Sequence, residues 1–235
     1  MLSMNFILYK PFIDRHLILR NIINFKKIEI FNNIYKIGFI HITKTGGTDI
    51  KDKNQNSEIY FGKYHYENSS FYKNNLPCFA VIREPIERFK STFFYNICGS
   101  SKYGYKGYDK IYIDINDFIN DCIIDPNLLN SFEKGWQFRQ QYKWLIGNEK
   151  NTFIIKYNNN NICNNISLLL NKEFNIDYKY NSNYIRINMT YYDNNINSNI
   201  NEKNNKYLHD LYKEDFIIYN KLFKNTQPYI RFSEI

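Results

Sequence analysis

Three mostly apolar runs along the chain predict the buried strands of a sheet. They span Ile37 to Ile42, Cys78 to Ile82 and Thr152 to Tyr157. Apolar runs of this length are typical of parallel strands that are covered on both faces. A shorter strand is predicted at Glu58 to Phe61.

Helical patterns lie between and after these runs. A helix is predicted to open after the loop at residues 43–48. Further helices are predicted at Glu84 to Asn96, Ile115 to Ile124, Phe132 to Ile146, Ile162 to Leu170 and Asn204 to Phe223. The glycine-containing residues 99–108 predict a mobile loop, and the Asn-dense residues 193–205 predict a surface loop or a disordered segment. A helix and an edge strand are predicted within the first 35 residues.

The alternation of strands and helices predicts an α/β layer fold with a parallel sheet. Ligands of such sheets bind at the carboxyl ends of the strands. Lys44 and Arg83 each follow a predicted strand directly. Both side chains are therefore expected at one edge of the sheet, although they lie far apart in the sequence.

The first of these places has the composition of a phosphate-binding loop. After the strand that ends at Ile42, the chain reads Thr43, Lys44, Thr45, Gly46, Gly47, Thr48 and Asp49. Successive backbone N–H groups and the start of a helix favour a bound anion. The lysine and the threonines add further hydrogen-bond donors. Lys44 precedes the glycines, whereas a Walker lysine follows them, which argues against an ordinary ATPase or GTPase.

The second place combines an arginine with a helical serine. Arg83 ends a predicted strand, and Ser91 lies two turns into the helix that follows. The guanidinium group and the hydroxyl are placed where they can share one phosphate. The structural alternatives are an ion pair of Arg83 with Glu87 and an ordinary helical serine. Arg88 is predicted to be structural, paired with Glu84 at i,i+4.

Together the two elements resemble the sulfotransferases that use 3′-phosphoadenosine 5′-phosphosulfate (PAPS), most closely the carbohydrate and membrane-associated branch. The matching residues are Lys44-Thr45-Gly46-Gly47-Thr48 and Arg83-x-Pro85-x-x-Arg88-x-x-Ser91. The resemblance extends from Ile37 to Phe223, with clear motifs only in its first half. It implies a P-loop-like three-layer fold with a central parallel sheet flanked by helices, as a single domain over residues 1–235.

The resemblance also implies a role for each residue of the two motifs. Lys44, Thr45, Gly46, Gly47 and Thr48 would bind the 5′-phosphosulfate, and Arg83 and Ser91 would bind the 3′-phosphate. Lys44 would also be catalytic, because it could neutralise the leaving oxygens as the S–O bond breaks. No metal is implied. The product would be adenosine 3′,5′-bisphosphate.

The hydroxyl of the acceptor needs a general base. His65 is the first candidate, because a neutral imidazole titrates near the working pH. The family often carries a histidine in a similar Gly-x-x-His segment. Glu67 and Glu84 are the alternatives. His41 lies inside a predicted strand, and a role in the core is expected for it.

Net charge, cysteine content and the length of the apolar runs bear on the ligand and on the cellular compartment. The net charge of +8 and the pI of about 9.1 are compatible with a polyanionic ligand, and equally with general lysine enrichment. The four cysteines are widely spaced and form no metal or redox motif. No apolar run is long enough for a membrane span, and no signal peptide is recognised, so a soluble intracellular protein is expected.

The leading hypothesis is a PAPS-dependent sulfotransferase that acts on a hydroxyl of an acceptor; the acceptor is expected to be a glycan, and no nucleic acid is expected. Asp49 stands where that family commonly has a hydroxyl residue. It motivates a second hypothesis, a nucleotide- or glycan-binding module of the same fold without turnover. A P-loop kinase acting on a small molecule is the third. The acceptor itself is not identified by the sequence.

Overall fold

The four predicted strands lie in one sheet. The computed structural model describes residues 35–61, 76–98, 112–131, 135–158, 161–181, 195–224 and 226–235. The strands of the sheet are β1 (Ile37–Ile40), β2 (Ile59–Phe61), β3 (Cys78–Ile82), β4 (Thr152–Lys156) and β5 (Tyr229–Arg231), and they lie side by side in the order β2-β1-β3-β4-β5. The first four pair in parallel, which confirms the prediction, and β5 pairs antiparallel to β4. The sequence analysis missed β5.

Both faces of the sheet are buried, as the apolar runs predict. One face presents Phe39, Phe79 and Phe153 to helices α1 (Gly47–Lys53) and α5 (Ile162–Phe174). The opposite face presents Ile40, Ala80 and Ile154 to helix α7 (Lys213–Lys224) and to the segment around Trp144. Alternate residues of each strand point to opposite faces, so a strand covered on both sides must be apolar throughout. The fold is therefore α/β, with a mostly parallel sheet flanked by helices.

A third apolar cluster joins helices that lie beyond the sheet. Helix α2 (Pro85–Asn96) packs its phenylalanines against α3 (Ile115–Ile124) and α6 (Glu202–Leu211). Glu84 caps the start of α2, where its Oε2 accepts a hydrogen bond from the backbone N–H of Glu87 at 2.6 Å. Pro85 occupies the first turn, where no intrahelical donor is required. Helix α4 (Leu128–Ser131) is a single turn.

Three sequence predictions are wrong. Phe132 to Ile146 was expected to be one helix, but within its described part the chain forms 3₁₀ turns at Gly135–Phe138 and Gln141–Trp144. The helix expected at Asn204 to Phe223 is two helices, α6 and α7, which meet at Tyr212. Residues 193–205 were expected to be a surface loop or a disordered segment. Residues 195–201 do lie outside the helices and strands, but α6 begins at Glu202 and Asn204 is fully buried.

Some predictions fall outside the described residues. These are the helix and edge strand expected in the first 35 residues, of which only Tyr35 is described, and the loop expected at residues 99–108. Among the described helices, none combines the length and the hydrophobicity that a membrane crossing requires.

Candidate functional site

The loop after β1 adopts a tight, unusual backbone conformation. Lys44 has φ +61°, which is uncommon for a residue other than glycine, and Gly46 has φ +80°. The Oγ1 of Thr45 donates a hydrogen bond to the carbonyl oxygen of Ile42 at 2.8 Å and is fully buried. That hydroxyl closes the turn, so Thr45 contributes its backbone to the loop surface. Strained backbone at a non-glycine residue is a feature of ligand-binding loops.

The two glycines are required for different reasons. A Cβ on Gly47 would overlap the ring of His41, whose imidazole lies directly against the start of α1. A Cβ on Gly46 would lie 2.8 Å from Cε2 of Tyr157, and the positive φ also favours glycine there. Tyr157 follows β4 directly. The side chains that directly follow β1 and β4 therefore pack against the loop, and His41 supports it instead of lying deep in the core.

Several backbone donors of the loop have no acceptor among the residues that the structure describes. The N–H groups of Gly46, Gly47 and Thr48 donate to no acceptor among the described residues. Adjacent N–H groups that lack acceptors are the property that makes a glycine loop bind phosphate. The predicted cradle is thus compatible with the observed backbone.

Lys44 lies beside the aromatic ring of Tyr95. Its Nζ is 3.8 Å from the ring centroid, a close cation–π distance. Tyr95 belongs to α2, and Ser91 lies one turn earlier on the same face of that helix. Ser91 is therefore on the side of α2 that faces the loop, and it is 3% exposed.

Arg83 lies next to the loop, as expected from their positions after neighbouring strands. Its Nη1 donates to the carbonyl oxygen of Lys44 at 3.3 Å. Its Nη2 is 3.9 Å from Oε2 of Glu87, and its guanidinium lies 5.2 Å from the Tyr157 ring centroid. The expectation that Lys44 and Arg83 meet at one edge is confirmed. The ion pair with Glu87, which was the structural alternative, is present as well, at a loose distance.

Gln141 fixes the backbone of Arg83. The N–H of Arg83 donates to Oε1 of Gln141 at 3.0 Å, and Nε2 of Gln141 donates to the carbonyl oxygen of Arg83 at 2.9 Å. Gln141 is fully buried. The sequence analysis missed this residue because it assigned the segment to an ordinary helix, in which a glutamine carries no signal.

A buried polar network surrounds this segment. Arg88 donates to the carbonyl oxygens of Gln137 at 2.8 Å and Arg139 at 2.6 Å, so its predicted ion pair with Glu84 is wrong. The same carbonyl of Gln137 accepts from Oγ1 of Thr43 at 3.2 Å. Because Arg88 is buried, its partners must compensate for lost hydration, and backbone carbonyls do so in place of Glu84. Arg88 remains structural.

Asp215 anchors the network to α7. Its carboxylate accepts from the backbone N–H of Gln141 at 2.7 Å and of Tyr142 at 2.9 Å. Burial raises the pKa of Asp215, and Arg88 and these two N–H groups oppose the rise. Burial lowers the pKa of Arg88, and Tyr212 and Asp215 oppose that change. The two charged groups stabilise each other across the 3₁₀ segment.

Replacement of Asp215 by asparagine is expected to lower the free energy of unfolding by about 1–3 kcal/mol. An amide offers one acceptor oxygen, so the N–H of Gln141 or of Tyr142 loses its partner. Urea denaturation of the wild type and of Asp215→Asn measures the difference. Asp210→Asn, on the exposed side of α6, is the matched control. Equal stability of the two variants would contradict the anchoring role.

The remaining acidic candidates have identifiable partners. Oδ2 of Asp49 lies 3.6 Å from Nζ of Lys53, one turn along α1. Asp49 also contributes to raising the pKa of Cys163 on α5, although burial is the main cause. Its charge is thus partly compensated by Lys53. Glu84 caps α2, and His65 and Glu67 lie outside the described residues.

No family model, curated protein or solved structure matches this chain. Its function is therefore inferred from the residues of the site.

Proposed function

We propose that this protein is a sulfotransferase that moves a sulfuryl group from PAPS to a hydroxyl of an acceptor, in a P-loop-like version of the α/β fold. The observation that supports the proposal best is the 3.3 Å contact of the Arg83 side chain with the backbone of Lys44. It joins two groups of phosphate-binding donors at one edge of the sheet. A nucleotide with phosphate at both ends of its ribose fits two such groups.

The loop would hold the 5′-phosphosulfate. The N–H groups of Gly46, Gly47 and Thr48 would donate to its oxygens, and Thr45 would contribute its backbone. Sulfuryl transfer resembles phosphoryl transfer in needing an in-line nucleophile and stabilised charge on the leaving oxygens. Lys44 would supply that charge from its place beside Tyr95.

The 3′-phosphate would bind Arg83 and Ser91. Arginine binds phosphate through two parallel N–H donors, and its charge does not depend on pH in the working range. The same donors reach the carbonyl oxygen of Lys44 and, at 3.9 Å, the carboxylate of Glu87. A phosphate would take the place of that loose contact, and Glu87, whose side chain is half exposed, would remain hydrated.

The acceptor is proposed to be a glycan hydroxyl, with His65 as the base that removes its proton. Glu84 is less suited, because its carboxylate already caps α2 at 2.6 Å. The pairing of Asp49 with Lys53 weakens the observation that motivated a module without turnover. That module remains an outcome of the experiments below.

Titration calorimetry with adenosine 3′,5′-bisphosphate, adenosine 5′-monophosphate and ATP tests the proposal. Adenosine 3′,5′-bisphosphate is expected to bind at least about tenfold more tightly than adenosine 5′-monophosphate, because hydrogen bonds to a charged group are each worth about 1.5–3 kcal/mol. Magnesium is expected to have no effect on either affinity. Transfer of labelled sulfate from PAPS to a panel of glycans then measures turnover.

Two results would contradict the proposal in different ways. Magnesium-dependent binding of ATP, with indifference to the 3′-phosphate, would indicate a kinase. Tight binding of the bisphosphate without transfer to any acceptor in the panel would indicate a binding module.

A further inference from the structure

Arg83 lies where the regular pairing of the sheet stops. The last ladder partner of β3 is Lys156, which lies opposite Ile82, and the N–H of Tyr157 then donates to the carbonyl oxygen of Ile82 at 2.7 Å. Beyond that point, a strand residue must find other partners for its backbone groups. In Arg83, both groups are taken by one side chain, the amide of Gln141.

A primary amide is well suited to this task. It offers a donor and an acceptor in one plane, and so replaces the pair of hydrogen bonds that a neighbouring strand would make. The donor–acceptor distances of 3.0 and 2.9 Å are those of ordinary strong hydrogen bonds. Gln141 is fully buried, so its amide group is not exposed to solvent.

Gln141 is itself held in place. Its backbone N–H donates to Oδ2 of Asp215 at 2.7 Å, and the next N–H donates to Oδ1 at 2.9 Å. Asp215 lies in the first turn of α7, which packs on the sheet. A continuous chain of hydrogen bonds thus runs from α7 through Gln141 to the residue that bears the guanidinium group.

We infer that Gln141 is a positioning residue for Arg83 and sets the discrimination in favour of nucleotides that carry a 3′-phosphate. The inference rests on the proposed function. Gln141 does not touch the nucleotide; it fixes the point from which the Arg83 side chain starts. If the backbone of Arg83 were displaced by about 1 Å, the bidentate contact of its guanidinium group with a phosphate would be severely weakened. The 5′-phosphate would be held by the N–H groups of the loop, to which the Gln141 amide does not bond.

The variant Gln141→Met removes both hydrogen bonds while nearly conserving side-chain volume. The readout is the ratio of two affinities by calorimetry, adenosine 3′,5′-bisphosphate over adenosine 5′-monophosphate. We expect the ratio to fall about tenfold, with the affinity for the monophosphate unchanged. In an Arg83→Ala background, Gln141→Met is expected to change the ratio no further.

Gln140→Met is the matched control. Gln140 is the neighbouring residue, and its Nε2 donates to the carbonyl oxygen of Leu211 at 2.8 Å instead of to Arg83. Its substitution is expected to leave the ratio at the wild-type value. An equal loss of affinity for both nucleotides in Gln141→Met would mean that Gln141 is only structural, and an unchanged ratio would overturn the inference outright.

Gln141→Glu is the second variant, and it serves if Gln141→Met does not fold. The charged carboxylate accepts a hydrogen bond from the N–H of Arg83 but repels the carbonyl oxygen of Arg83, whereas the protonated acid again offers one donor and one acceptor. The ratio of the two nucleotide affinities, compared with that of the wild type at the same pH, is therefore expected to be lower at about pH 8 and to recover towards about pH 5. A ratio equal to that of the wild type at both pH values would overturn the inference. If the wild type itself shows no preference for the bisphosphate, the proposed function fails instead.

Discussion

Replacement of Lys44 by alanine is expected to lower the rate of sulfuryl transfer by about 100- to 1000-fold, the usual effect of removing one preorganised group that stabilises charge in a transition state. Affinity for adenosine 3′,5′-bisphosphate is expected to fall by less than about tenfold, because the loop N–H groups and Arg83 remain. Single-turnover transfer of labelled sulfate gives the rate, and calorimetry gives the affinity. Alanine at position 44 meets the same positive φ of +61° as lysine, so the backbone strain is nearly unchanged.

The matched control for this experiment is Lys51→Ala. Lys51 lies on the exposed side of α1, and its removal alters the net charge by the same amount. We expect wild-type transfer in that variant. A Lys44→Ala protein that transfers sulfate at the wild-type rate would exclude Lys44 from catalysis, and with it the proposed mechanism. Equal losses in both variants would indicate a general effect of charge on the encounter with PAPS.

The sheet and the loop could be predicted because their signals are local. A strand buried on both faces must be apolar at successive positions, so β3 could be located to the residue from Cys78 to Ile82. The rule that parallel strands end at one edge then placed Lys44 beside Arg83 before any distance was known. Helix α3 was likewise located to the residue, from Ile115 to Ile124.

The segment from Gly135 to Trp144 could not be predicted, because distant residues determine its conformation. Its apolar and aromatic residues are spaced like those of a helix, yet its backbone groups bond to Thr43, Arg88 and Asp215. Those partners lie 94, 49 and 74 residues away along the chain. The helix propensity of a segment is a weak guide to its conformation when tertiary hydrogen bonds of this kind compete with the helix.

The same reason explains why the supporting residues of the site were missed. Tyr157 and Gln141 act on the loop and on Arg83 from other elements, at separations that no local pattern encodes. Strand β5 was missed because its three residues, Tyr229 to Arg231, are too few to show the alternation of apolar and polar side chains that indicates a strand. Residues that would touch the ligand were thus accessible from the sequence, whereas those that position them were not.

Replacement of Gly47 by alanine is expected to lower the free energy of unfolding by about 1–3 kcal/mol, the usual cost of overpacking. The new methyl group would overlap the His41 ring, which is stacked on Phe39 with ring centroids 5.5 Å apart. Gly47 is the first residue of α1 and does not have a positive φ, so alanine suits its backbone. Denaturation with urea measures the loss, and calorimetry is expected to show weaker binding of adenosine 3′,5′-bisphosphate.

The decisive variant is the double substitution His41→Ala with Gly47→Ala. If the ring is the obstacle, removing it makes room for the methyl group, and the double variant is more stable than the sum of the two single effects predicts. Gly147→Ala is the contrasting control, because glycine is favoured at position 147 by the backbone φ of +104°. His41→Ala should not rescue that variant. Strict additivity of the effects of His41→Ala and Gly47→Ala on the free energy of unfolding would show that the ring does not limit position 47.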